Sequence, residues 1–204
     1  MNSVFFWPRP GDVLFVDKGD WFDACLGWTQ DQWFGYAEGY KRAADLITQH
    51  ILHTERDQDF LIFPIVFLYR QAIEIALKHL IYTGKQLTNL SPGVPAHHRL
   101  TALWEIGRPI IEKVWPDGPK QDLKAVTDVL QQFEFKDPTS TLFRYPITKD
   151  GNASFLRNER MNISNYSGIP LDHRINTSVN GIRKYCFWGR TDRRQMRAAM
   201  LREP

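Results

Sequence analysis

Apolar residues recur at three- and four-residue spacing through most of the first 136 positions, which predicts a succession of α-helices. The first predicted helix runs from about residue 29 to residue 53, with Thr29 as its N-cap. The second runs from about residue 59 to residue 83, or starts nearer 63 because of Pro64. Gly84 supplies the left-handed residue that commonly ends a helix, so we expect the second helix to stop there.

Two more helices are predicted after a turn-rich connection at 88–98. Helical spacing resumes at Leu100, and we expect Gly107 and Pro109 to break or kink this third helix. The turn at 117–119 then sets up a fourth helix, and all four helices precede residue 136. Its apolar positions are Leu123, Val126, Val129, Leu130 and Phe133.

The remaining segments follow other patterns. Residues 13–16 read as a short extended segment, and the Asp-Gly pair at 150–151 predicts a small β-hairpin at about 142–156. A last helix is predicted over 170–188, followed by an Arg-rich tail over 189–204. The predicted fold class is therefore all-α, a bundle of four to five helices with a small β-hairpin insertion.

Domain organisation and location follow from composition. A chain of 204 residues that is 43% hydrophobic can bury a substantial core, so residues 1–188 are predicted to form a single domain. The two cysteines lie far apart, which fits neither a disulfide framework nor a C-x-x-C site. Prolines at 8 and 10 interrupt the N-terminal stretch, and Arg70 interrupts the longest apolar run. We expect a cytoplasmic protein with no signal peptide and no membrane span.

Charge is unevenly distributed along a chain whose formal net charge is +3. Residues 181–204 are strongly basic, whereas the preceding residues carry slightly more acidic than basic groups. Such a tail suits RNA, DNA or an acidic protein surface, or is simply a solvated terminus. The basic residues that we assign to nucleic-acid binding in this tail are Arg190, Arg193, Arg194 and Arg197.

A charged stripe, made of Arg70, Glu74 and Lys78, runs along the second predicted helix. Residues spaced by four lie one above another on a helix, and the rest of this helix is apolar. Unpaired ions inside a protein cost several kcal/mol each, so the stripe either pairs internally and with a neighbouring helix or lines a wet cleft.

Further candidates stand in turn-rich segments, where functional residues are often found. His98 and Arg99 precede the third helix, and Arg144 and Tyr145 follow the fourth. Two of these residues have a structural alternative: a loop histidine near a helix start for His98, and a salt bridge to Asp137 or Asp150 for Arg144.

These residues together resemble a known family. The elements that carry the resemblance are Tyr69-Arg70, Glu74, Lys78, His98 before an apolar helix, Asp137 and Phe143-Arg144-Tyr145-Pro146. Over about residues 28–190 the chain resembles bacterial proteins of the HEPN (higher eukaryotes and prokaryotes nucleotide-binding) type. The resemblance implies a helical bundle that forms a homodimer, and many such proteins are metal-independent ribonucleases of toxin–antitoxin, antiviral defence and CRISPR systems.

The family's nuclease motif is absent. In those nucleases an Arg precedes a His by four to six intervening residues, and none of the six histidines here has an Arg at that spacing. RNA transesterification still needs only a proton acceptor, a proton donor and cations near the phosphate. We assign the candidate catalytic set without a metal or cofactor: Arg70, Glu74, Lys78, His98 and Arg144. Arg99 and Tyr145 join the tail arginines as candidate nucleic-acid-binding residues.

Two functions remain open from the sequence. One is an RNA-targeting effector or subunit of a bacterial defence or toxin system, in which Glu74 orients the cations and His98 moves protons. The other is a non-catalytic helical module that dimerises or docks on a larger defence or regulatory partner, with tryptophans near the N-terminus as anchors. RNA or a nucleotide is the expected ligand of the first.

Overall fold

The computed structural model contains four α-helices in the part of the chain that it describes, which consists of residues 9–17, 19, 21, 23–27, 29–87, 93–118 and 120–166. The helices are α1 (Gln32–Thr54), α2 (Gln58–Leu87), α3 (Leu100–Val114) and α4 (Lys120–Lys136). No strand occurs in these ranges. The all-α prediction is therefore confirmed at the level of fold class.

The chain before Trp33 forms a compact unit of its own. Within it, residues 13–16 contain bends where a short extended segment was predicted. The Thr29 hydroxyl donates to the Asp31 carbonyl at 2.7 Å. Because α1 begins at Gln32, Thr29 lies three residues before the helix and is not its N-cap, contrary to the prediction.

Helix α1 packs antiparallel to α2. Near the start of α1, the Trp33 ring centroid lies 6.2 Å from that of Tyr82 near the end of α2. In the middle of both helices, the Tyr69 hydroxyl donates to Asp45 Oδ1 at 2.6 Å. The buried residues of α1 recur at helical spacing along the face turned to the core: Ala37, Ala44, Thr48 and Ile51.

Helix α2 is the central element and contributes most of the fully buried side chains. It continues through Gly84, so the predicted helix end at that glycine is wrong. A Cβ atom at Gly84 would lie 2.4 Å from Ile110 Cγ2, which means that the glycine permits close approach of α3. A glycine is therefore required at position 84 by the close contact with α3, and not by a left-handed backbone conformation.

Helix α3 is continuous across Gly107 and Pro109, so the predicted break does not occur. Pro109 removes the hydrogen bond to the Glu105 carbonyl, and Glu105 is exposed, so water can satisfy that carbonyl. Gly107 faces α2, where a Cβ atom would lie 3.0 Å from Leu80 Cδ2.

Helices α2 and α3 run in the same direction. Residues further along α2 contact residues further along the α3 segment: Arg70 contacts His98, Leu80 contacts Gly107, and Gly84 contacts Ile110. Helix α4 then runs antiparallel to α3, since Trp104 Nε1 donates to Thr127 Oγ1 and the Leu100 backbone N–H donates to Glu134 Oε2. Leu100, where α3 begins, therefore lies beside the middle of α2 and not beside its end at Leu87.

The segment after α4 is irregular. At the predicted hairpin of 142–156 it contains one isolated antiparallel bridge, between Ile147 and Ala153, around Gly151 at φ 80°. This turn has the expected position but no strands on either side within the described residues. The helix predicted over 170–188 and the tail over 189–204 lie outside the described residues.

By length and composition alone, α2 could cross a membrane. The same properties belong to the core helix of a bundle, and 56% of the apolar stretch is buried inside this structure. The feature is therefore only weak evidence for a membrane protein.

Candidate functional site

The charged stripe on α2 is centred on Glu74. Arg70 Nη1 lies 3.4 Å from Glu74 Oε2, and Lys78 Nζ lies 2.8 Å from Glu74 Oε1. The side chains of Arg70 and Glu74 are only 1% and 4% exposed. Internal pairing, one of the two arrangements expected from the sequence, is therefore what the structure contains.

His98 joins this stripe from the residue pair that precedes α3. Its Nδ1 lies 2.8 Å from Glu74 Oε1, and its backbone carbonyl accepts a hydrogen bond of 3.0 Å from Arg70 Nη2. The His98 side chain is nevertheless 66% exposed. When Nδ1 donates to the carboxylate, Nε2 carries the lone pair of the neutral ring and is left for solvent or a ligand.

Acidic groups surround the buried Arg70 guanidinium. Burial lowers the pKa of Arg70 below its ordinary value, while the charges of Asp137, Glu74 and Glu134 act in the opposite direction. Its Nε has no hydrogen-bond partner within the described ranges. The direct partners of the guanidinium are the Glu74 carboxylate and the His98 carbonyl, while Asp137 and Glu134 act on it only through their charge.

Arg99 is held by α4. Its Nε donates to Glu134 Oε1 at 2.9 Å, and Glu134 Oε2 accepts the Leu100 backbone N–H at 2.9 Å. Glu134 therefore caps the first turn of α3 and fixes the residues next to His98. The Arg99 side chain remains 66% exposed, so its guanidinium is still accessible to an anion.

Arg144 belongs to a neighbouring but separate group. Its Nε donates to the Ser140 carbonyl at 2.7 Å, and its guanidinium carbon lies 5.8 Å from the Phe67 ring centroid and 5.5 Å from that of Tyr145. Within the described residues, Arg144 forms no ion pair with an acidic side chain. The salt-bridge alternative for Arg144 is therefore wrong, and a cation–π contact takes its place.

The structure thus brings four candidates together and leaves others apart. Arg70, Glu74, Lys78 and His98 share one hydrogen-bonded cluster. No hydrogen bond, ion pair or ring contact among the described residues joins Arg144 or Tyr145 to that cluster, although Phe67 lies one turn before Arg70 on α2. Candidates that lie outside the described residues are Arg190, Arg193, Arg194 and Arg197.

Sequence reasoning missed Glu134. It lies 35 positions from Arg99, and no local spacing relates the two residues. The sequence carried one weak signal: Glu134 lies four positions after Leu130 and next to Phe133, so a helix places it beside the apolar face of α4.

A scan of protein-family models, a search of curated proteins and a search of solved structures each return no match to this chain. In the ranges that the structure describes, no group of three or more His, Cys, Asp or Glu side chains could hold a metal ion. The cluster offers an imidazole that is oriented by a buried carboxylate, and this carboxylate is paired with two cations.

Proposed function

We propose that this chain is a HEPN-like, RNA-targeting protein of a bacterial defence or toxin system, and that it cleaves RNA without a metal. One observation carries the proposal: His98 directs Nδ1 to the buried Glu74 carboxylate while most of its ring stays exposed. A carboxylate in that position fixes the tautomer of a histidine that acts as a general base.

The proposed reaction is transesterification at a ribose. His98 Nε2 accepts the proton of the 2′-hydroxyl, the 2′ oxygen bonds to phosphorus, and the bond to the 5′ oxygen breaks. The departing 5′ oxygen takes a proton from water or from His98 of a second copy across a dimer cleft. Arg144 is the exposed cation proposed to contact the phosphate, and Arg70 and Lys78 hold Glu74 in place through ion pairs.

The decisive experiment incubates purified full-length protein with a mixed RNA pool in the presence of a chelator. We expect His98→Ala to lower the cleavage rate by about 100-fold or more, because general-base catalysis contributes at least that factor. His97→Ala is the matched control, since His97 is an adjacent exposed histidine outside the hydrogen-bonded cluster. Arg144→Ala should also slow cleavage, by about tenfold.

Two results would remove the catalytic function. One is absence of cleavage by the wild-type protein; the other is equal loss of activity in the His97 and His98 variants. Thermal unfolding of each variant shows whether a lost activity comes from lost structure instead.

The second candidate function is a non-catalytic interaction module, and exposed aromatic residues favour it. Phe60 on α2 and Phe135 on α4 are 76% and 91% exposed. The charged stripe also satisfies most of its own charge internally, as a structural ion cluster does.

The salt dependence of RNA binding separates the two functions. Phosphate-dominated binding weakens steeply as salt rises. A surface that binds only protein should have no measurable RNA affinity even at low salt, and the oligomeric state would then be the informative measurement.

A further inference from the structure

A cavity of about 520 Å³ lies between α4, Phe143 and the segment 159–166. Its size falls within the range of small-molecule sites in proteins, roughly 300–1,000 Å³. None of its lining residues belongs to the charged stripe or to the His97–Arg99 segment. The cavity is therefore a separate feature of the molecule.

Aromatic rings form much of the cavity wall. Phe133 and Tyr166 meet edge to face, with ring centroids 6.2 Å apart. Phe143 is buried beside them, whereas Phe135 also lines the cavity but is 91% exposed. A phenylalanine ring that is almost wholly in water at the edge of an aromatic cavity offers a stacking surface for a flat ligand.

The charges at the cavity leave one cation in excess. Lys136 pairs with Glu159, and both line the cavity. Arg160, the next residue, is exposed and forms no ion pair within the described ranges. A guanidinium in this state suits an anionic group, and it binds phosphate with two parallel hydrogen bonds.

Two amide side chains that line the cavity, those of Asn162 and Asn165, supply hydrogen-bonding groups. The Asn162 carbonyl oxygen accepts from Ser164 and from the Asn165 backbone, which leaves its NH₂ group free to donate. The side-chain amide of Asn165 makes no hydrogen bond in the part of the chain that is described. Such amides pair with the edges of nucleobases.

We propose that this cavity binds a nucleotide, with its base stacked on Phe135 and its phosphate held by Arg160. The nucleotide is either free or one residue of a single-stranded RNA, since the two share the chemistry that the cavity recognises. This inference goes beyond the proposed cleavage of RNA, because it names a binding site apart from His98 and stands whether or not the chain is a nuclease.

The test measures binding to the full-length protein at low salt. The probes are adenosine 5′-monophosphate, adenosine, and a short fluorescent oligoadenylate. We expect Phe135→Ala to weaken binding of every probe that the wild type binds by about tenfold, the typical effect of removing one base–aromatic stack. Arg160→Gln should weaken the phosphate-containing probes by about fivefold or more and leave adenosine unchanged.

Matched controls exist for both substitutions. Phe60→Ala removes an exposed phenylalanine from another helix, and Arg157→Gln removes an exposed arginine three residues from Arg160 that does not line the cavity. Both control variants should bind each probe with a Kd within about twofold of the wild-type value. A twofold change in Kd lies within the range that a neutral surface substitution produces.

The outcomes separate the sources of the ligand. Binding of the monophosphate that depends on Phe135 and Arg160 supports a free nucleotide, and binding of the oligonucleotide alone with the same dependence supports an RNA residue. The inference is overturned if neither the monophosphate nor the oligoadenylate binds. It is also overturned if Phe135→Ala and Arg160→Gln bind the probes as tightly as the two control variants do. The cleavage assay on His98→Ala is read independently, so failure here and failure of the nuclease proposal are distinguishable.

Discussion

At the scale of single residues, Thr48 stands out because its hydroxyl is fully buried in α1 without a hydrogen-bond partner in the described ranges. An unsatisfied buried polar group costs about 1–3 kcal/mol. Thr48→Val replaces the hydroxyl by a methyl group of similar size, so we expect the free energy of unfolding to rise by about 1 kcal/mol. Urea denaturation at neutral pH measures the change.

The control for that experiment is Thr127→Val. The Thr127 hydroxyl donates to the Leu123 carbonyl and accepts from Trp104 Nε1, both at 2.8 Å. The same substitution should therefore lower the free energy of unfolding there, by about 1 kcal/mol or more. Equal effects at the two positions would contradict the assignment of Thr48 as unsatisfied.

Tyr166 gives a prediction for alkaline pH. Burial raises the pKa of its hydroxyl from 10.0 to about 12. Because the folded state holds this proton more tightly than the unfolded state does, the contribution is fully present below pH 10 and is lost as the pH rises towards 12. The wild-type protein should therefore lose at most about 3 kcal/mol of its free energy of unfolding through this group, and the Tyr166→Phe variant should lack this loss. Unfolding of both proteins across this pH range would show no difference if the hydroxyl were solvated.

At the scale of helices, two glycines separate intrinsic helix propensity from packing. Gly84 has Ile110 within 2.4 Å of its would-be Cβ atom, whereas Gly39 on α1 has nothing within 4 Å. Alanine at either position favours the helix by roughly 0.5–1 kcal/mol. We expect Gly39→Ala to stabilise the protein by that amount, and Gly84→Ala to destabilise it by about 1–3 kcal/mol because α3 must move.

Thermal unfolding of the two variants beside wild type checks this pair. The interpretation of Gly84 as a contact point fails if Gly84→Ala is as stable as Gly39→Ala. A crystal structure of Gly84→Ala would then be expected to have an unchanged distance between α2 and α3.

The helices were predictable because periodic burial is a local signal. Apolar spacing indicated all four, and α4 buries three of the residues that the pattern had indicated: Val126, Leu130 and Phe133. Helix α2 runs through Gly84, and α3 runs through Gly107 and Pro109 without the predicted break. Local preference marks these residues as helix breakers, but the two glycines allow α2 and α3 to pack closely, and that contact outweighs the preference.

The candidate site was predictable only in part, for a similar reason. The charged stripe follows from spacing within one helix, and so its internal pairing was among the expected arrangements. The hydrogen bond from His98 to Glu74 spans 24 positions, and that between Arg99 and Glu134 spans 35. Contacts between distant segments depend on how helices dock, which hydrophobic periodicity does not specify.

At the scale of the whole molecule, the charged stripe links the stability of the helical unit to its proposed function. Glu74→Ala leaves two cations without their shared carboxylate, and Arg70 is nearly fully buried. Removing one partner of a buried ionic cluster typically costs about 3–5 kcal/mol. We expect a loss of that size in chemical denaturation.

A triple variant distinguishes structure from chemistry. Arg70→Met, Glu74→Leu and Lys78→Met together replace the cluster by apolar side chains, which is often neutral or stabilising in other proteins. The triple variant should regain most of the stability lost in Glu74→Ala and still fail to cleave RNA, because His98 has lost its carboxylate. Cleavage at the wild-type rate by a folded triple variant would show that the cluster is purely structural.

The parallel course of α2 and α3 has a consequence for the order of folding. Neither helix can supply the site alone, since the hydrogen bond from Arg70 to the His98 carbonyl joins residues 28 positions apart. This contact costs the entropy of closing the intervening loop, and it forms only when α2 and the residues before α3 have docked. We therefore expect an incompletely folded chain to lack the imidazole–carboxylate pair on which the proposed cleavage of RNA depends.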